Sequence, residues 1–89
     1  KKHYYIRVIT YDYDDFYKTK AENLIKFLKK KGIEGAEVKE SEDMKKKKFW
    51  VVDVGKFETE EKGKETQKKI IELEYEGKKW FDGAYFILK

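Results

Sequence analysis

Few residues in this chain could do chemistry unaided. His3 is its one histidine, at an end where side chains are usually solvated. There is no cysteine, hence no thiol nucleophile, disulfide or thiolate metal site. No glycine-rich phosphate loop is present. Asp12, Asp14 and Asp15 could gather a cation, but they lack the ligand spacing of a calcium loop. They read better as an acidic cluster at the positive end of a helix. Lys45 to Lys48 form a basic run, read as a solvated loop, with attraction to a polyanion as the functional alternative. No catalytic residues are expected, and no metal or other cofactor.

Composition narrows the classes further. Eighty-nine residues suit one small domain. Apolar residues are only 39% of the chain, but aromatics reach 17%, and the apolar residues are clustered rather than dilute. That argues for a packed core despite 45% charged residues. Net charge is +4, yet among the 22 cations Arg7 is the sole arginine. Arginine is the usual reader of phosphate and guanine, so nucleic acid is not the expected partner. No apolar run is long enough to span a membrane, and no signal peptide is visible. Because the chain begins with Lys1 and not Met, it is expected to be either processed or a piece of a longer protein, with any membrane link made through a missing segment.

The elements that must position these residues centre on Phe49 to Phe57, FWVVDVGKF, the densest apolar run. Its Val and aromatic content and its closing Gly55 predict a central strand. Tyr4 to Tyr11 alternates as a first strand. Tyr17, Ala21, Leu24 and Leu28 mark the apolar stripe of a helix from about Asp15 to Lys31, with Gly32 as its cap. Ile33 to Glu40 reads as a charged edge strand. Thr59 caps a second helix over about Glu60 to Tyr75, where Gly63 permits close approach to the sheet and Gly77 ends the helical stretch. Ala84 to Leu88 is the last strand. A shift of 46 residues superposes Ile6 on Val52, Val8 on Val54, Tyr11 on Phe57 and Leu24 on Ile70. Two similar strand-helix-strand halves predict an α+β, ferredoxin-like βαββαβ fold, a four-stranded antiparallel sheet with two helices on one face.

Function is then expected on the other face. Strict alternation turns Ile6, Val8, Trp50, Val52 and Val54 toward the helices. Tyr5, Arg7, Phe49, Val51 and Asp53 then point outward, joined by Glu37, Lys39, Tyr85 and Ile87. Such a face is partly apolar around one arginine and one aspartate, as binding surfaces often are. Arg7 and Asp53, on adjacent strands, are either a cross-strand ion pair or donors and acceptors for a polar ligand.

The stretch Trp50 to Glu61, WVVDVGKFETEE, resembles the strand-to-helix signature of SPOR domains, Val-x-Val-Gly-x-Phe followed by a Ser/Thr-capped, Glu-rich helix. DGAYFIL resembles that family's last strand, and the resemblance covers the whole of residues 1–89 as a single domain. In the first half Arg7 stands where the family usually has glutamine, and Ile9 where it has glycine. The resemblance implies a non-catalytic module of the bacterial cell envelope or periplasm. It also implies binding of peptidoglycan glycan strands across the open sheet face at division sites. The glycan-binding residues it implies are Tyr5, Arg7, Thr10, Val51, Asp53, Lys56 and Tyr85, the rings stacking on sugar faces and the polar groups bonding the hydroxyls. Two other readings use the same face. One is a protein-docking or oligomerisation domain. The other is single-stranded RNA binding, for which Lys48 to Val52 loosely resembles a stacking motif but Asp53 adds an unfavourable charge.

Overall fold

Six elements follow one another as β1 (Tyr4–Asp12), α1 (Asp15–Lys30), β2 (Ala36–Glu42), β3 (Lys48–Phe57), α2 (Glu60–Glu72) and β4 (Tyr85–Leu88). They come from a computed structural model that describes all of residues 1–89. The strands form one sheet in the order β2-β3-β1-β4, and every neighbouring pair is antiparallel. This is the ferredoxin-like βαββαβ layout, with β1 and β3 at the centre. Ile6, Val8, Val52 and Val54 from those strands meet Ala21, Leu24 and Leu28 of α1 and Ile70 of α2 in one buried cluster. Both helices therefore cover the same face of the sheet.

Local chemistry explains where α1 begins and ends. Asp14 adopts an extended backbone and its Oδ1 accepts from the Tyr17 N–H at 2.9 Å, satisfying one of the free donors of the first turn. Such a cap is worth about 1 kcal/mol. At the other end Gly32 takes φ +83°. Its N–H donates to Lys29 O at 3.0 Å, and the Ile33 N–H donates to Leu28 O at 2.9 Å. This paired closure requires a left-handed residue, which glycine supplies without strain. It also folds Ile33 back beside Leu28, and both are buried. That is why β2 starts at Ala36 and not at Ile33: the capping turn consumes Ile33 to Gly35.

The second half departs from expectation in a similar way. Thr59 caps α2 as foreseen, its Oγ1 accepting from the Lys62 N–H at 3.2 Å. Gly63 is buried, and a Cβ there would lie 2.6 Å from the Phe86 ring. The helix, however, stops at Glu72 rather than Tyr75, because Leu73 is already extended. Gly77 is not its cap. Glu76 and Gly77 both have positive φ, and Tyr75 and Lys78 exchange backbone hydrogen bonds of 2.8 and 3.2 Å across them. That is the geometry of a tight two-residue hairpin turn. The turn places Tyr75 4.6 Å from the Phe27 ring and 6.0 Å from the Phe81 ring, between centroids. Phe27, which lies off the helical stripe, is covered in this way.

Phe81 is the largest fully buried side chain, although nothing periodic surrounds it in the sequence. Gln67 holds the end of this segment, Nε2 donating to Ala84 O at 3.0 Å. Ala84 is buried but precedes β4 rather than opening it. Trp50 points to the helix side, as alternation predicts, but it stays outside the core cluster, stacked on Tyr13 at 4.7 Å. Phe81→Ala should lower unfolding free energy by about 3–5 kcal/mol. Lys79→Ala, two residues away and exposed, should change it by no more than about 0.5 kcal/mol. Urea denaturation followed by circular dichroism checks both.

Candidate functional site

The helix-free face is built around Arg7 and Asp53, which lie directly opposite each other on β1 and β3. Residues opposed in an antiparallel pair share a face. Arg7 Nε donates to Asp53 Oδ1 at 3.0 Å and Arg7 Nη2 to Oδ2 at 3.2 Å, a forked, bidentate pair. Lys89 Nζ donates to Oδ2 at 2.8 Å. The Asp53 side chain is completely buried, while that of Arg7 is 17% exposed. Burial pushes the Asp53 carboxyl toward protonation. The hydrogen bonds from Arg7 and Lys89, with their positive charges, outweigh it and hold the pKa below the ordinary aspartate value.

Lys89 reaches this carboxylate because the ladder continues past β4. His3 and Lys89 exchange two backbone hydrogen bonds of 2.9 Å. Lys89 follows Ile87 by two positions, so alternation puts it on the helix-free face; its part in the site was missed in the sequence. From β4's side its side chain must cross β1 to meet Asp53 on β3. Lys39 makes the reverse crossing. It starts on β2, and its Nζ lies 4.3 Å from the centroid of Tyr5 on β1, so its stem passes over β3. Lys89 Nζ is 5.1 Å from the same ring. Both contacts are cation–π in kind. The ring itself lies close over Gly55, where a Cβ would be 2.4 Å from Tyr5 Cδ2. Tyr5 is thus held between backbone and two ammonium groups and is not a free stacking platform.

Val51 differs from expectation for the same reason. It faces away from the helices, yet it is only 1% exposed. Lys39 and Thr10 are its direct neighbours on β2 and β1. Lysine stems cover apolar surface while the charge stays at the edge. Val51 is therefore a buried floor and not a contact residue.

Two irregularities decide the other positions. Pairing steps from Arg7–Asp53 to Ile9–Val52, leaving Val8 without a partner. This bulge inverts the alternation. Val8 is buried in the core and Ile9 and Tyr11 pack beside it, whereas Thr10, opposite Val51, joins Arg7 on the helix-free face and is exposed. On β3 the pairing steps from Gly55 to Phe57, so Lys56 has no partner. It lines a cleft of about 510 Å³ with the Gly32–Gly35 turn and with Thr66 and Lys69 of α2. Lys56 is thereby removed from the group around Arg7. Of the expected residues, Tyr5, Arg7, Thr10, Asp53 and Tyr85 come together and Val51 lies beneath them. Tyr85, opposite Arg7, is 52% exposed and is the most available ring on this face.

No family model, curated protein or solved structure matches this chain. The site offers a neutralised carboxylate, a partly exposed guanidinium, two ammonium groups, an exposed phenol and an exposed hydroxyl. The Asp53 charge, counted in the sequence against RNA, is compensated twice. What opposes base stacking here is the occupied Tyr5 ring.

Asp53→Ala should cost about 3 kcal/mol, the low end for breaking a buried pair, because Arg7, which keeps some exposure, loses its counter-ion. Replacing both partners, Arg7→Met with Asp53→Leu, should cost much less. A double-mutant cycle in urea checks the difference. Asp53 also makes stability fall in acid. The unfolded chain takes up this proton near pH 4, before the folded protein does, so the contribution is full above that value and is lost as pH drops through the lower folded pKa. The acid limb of the stability profile should be flatter in Asp53→Asn.

Proposed function

We propose that this domain is a non-catalytic binding module whose ligand lies across the helix-free face of the sheet, and that the ligand is a glycan strand of peptidoglycan. One observation carries the reading: a rigid guanidinium–carboxylate pair at the centre of that face, flanked by the exposed Tyr85 and Thr10. Sugars present apolar ring faces and a rim of hydroxyls. Tyr85 can stack on the former. Arg7 and Thr10 can bond the latter, with little ordering cost for Arg7 because Asp53 already fixes it. The likeness of Trp50 to Glu61 to the SPOR signature supports the same ligand and a place in the bacterial cell envelope. Tyr5 supports the site from below, through Lys39 and Lys89, rather than by stacking.

Binding is tested by co-sedimentation with purified sacculi before and after removal of stem peptides. The protein should pellet with both and more strongly with stripped glycan. Tyr85→Ala should weaken binding roughly tenfold, the scale of losing about 1.4 kcal/mol. Sedimentation with neither preparation overturns the reading. A mass in solution that rises with concentration, and falls in Tyr85→Ala, would assign the face to self-association instead.

A further inference from the structure

On the opposite side of β1 a second pocket is lined by rings. Ile9 and Tyr11, turned toward the helices by the bulge at Val8, line it together with Tyr17 of α1 and with Tyr75 and Trp80 of the segment after α2. Lys20 and Glu76 complete its wall. Its volume is about 260 Å³. Tyr11 and Tyr17 stack nearly parallel, with centroids 5.4 Å apart and planes 21° apart. Trp80 is 49% exposed, and Lys78 covers one ring face with Nζ 5.2 Å from the centroid. The tight turn at Glu76 and Gly77 holds the Tyr75 side of the pocket in place.

We propose that this pocket binds a single neutral pyranose ring, at a site separate from the helix-free face. Its chemistry selects the ligand class. Four aromatic residues line it with apolar carbon, Trp80 being the most exposed of them, yet each also carries a hydroxyl or an indole N–H, and only Ile9 lacks a polar group. A purely aromatic ligand would leave those groups unused and in part desolvated. A cation would meet Glu76 but also Lys20, so the wall is electrically balanced and gains little from a charged guest. A sugar ring matches on both counts, with C–H faces for the rings and hydroxyls for the phenols, the ammonium and the carboxylate. The volume suits one ring and its hydroxyls rather than a chain. The Tyr11 phenol, like any phenol, is a protonated donor at neutral pH, and burial, helped by Tyr75, Glu76 and Tyr17, raises its pKa further. The pocket does not depend on the glycan reading of the other face, since Arg7 and Thr10 point away from it.

The test is a titration of isotope-labelled protein with glucose, galactose and N-acetylglucosamine, each to about 100 mM, followed by amide and indole N–H resonances. At least one sugar should give saturable shifts at Trp80, Glu76 and Tyr11, with a Kd on the order of millimolar, the affinity of roughly 4 kcal/mol that suits one ring. Trp80→Ala should weaken this at least tenfold, and Glu76→Gln by a smaller factor. Tyr85→Ala, on the other face, should leave it unchanged. No saturable shift at the pocket with any of the three sugars overturns the proposal. So do shifts produced there by tetramethylammonium alone, or sugar shifts confined to Thr10, Arg7 and Tyr85. The last outcome would leave the proposed function standing, while pocket shifts without binding to sacculi would do the reverse.

Discussion

The Arg7–Asp53 pair is the constraint on which the sheet depends. A carboxylate in the middle of a central strand is costly to bury unless its charge is matched and its oxygens are bonded. Here three charge-assisted hydrogen bonds from two cations do both. Any slip of β1 against β3 would separate the partners, so the pair also selects the register. Arg7 and Asp53 are separated by 46 residues, the offset that relates the two halves of the chain. They are therefore equivalent positions of the internal repeat, meeting where the halves join. A repeat with identical residues would place like charges together at this point. Opposite charges turn the same contact into a lock.

The lock has consequences for everything around it. Lys89 must fold over β1 to reach Asp53, and in doing so it passes the Tyr5 ring. Lys39 comes from the other edge to the same ring and screens Val51 on the way. The helix-free face is therefore roofed by the stems of its own cations. It presents charge and hydrogen-bonding groups more than apolar area. A ligand suited to it needs hydroxyls or acceptors, with one ring face for Tyr85.

Bulges distribute β1 between two surfaces. Without the irregularity at Val8, period two would send Ile9 and Tyr11 to the helix-free face and Thr10 to the core. With it, Thr10 stands beside Arg7, while Ile9 and Tyr11 face α1 and the Tyr75–Trp80 segment. The corresponding irregularity at Lys56 returns Phe57 to the helix side, where its ring packs against Gly63. One extra residue in each central strand thus separates the ion network from the aromatic pocket.

The sequence by itself determined the order of the elements, both helix starts and the split of the chain into two halves. Those features rest on contacts within a few residues: Asp14 and Thr59 as caps, the stripe Ala21–Leu24–Leu28, and the glycine turn after Lys31. The meeting of Arg7 with Asp53 was legible too, because alternation on neighbouring strands puts them on one face. Tertiary structure alone decided the rest. The burial of Val51 and the occupation of Tyr5 depend on how far Lys39 and Lys89 reach across strands, which no local pattern encodes. Of the residues the resemblance named, Lys56 left the site and Thr10 kept its place there, both through pairing steps set by the partner strand. Phe81 became the largest buried side chain because the turn at Glu76 and Gly77 folds it under Tyr75, in a stretch with no period to announce it. Local propensity places elements, whereas register and long side chains, whose energies depend on residues far away in the chain, place the site.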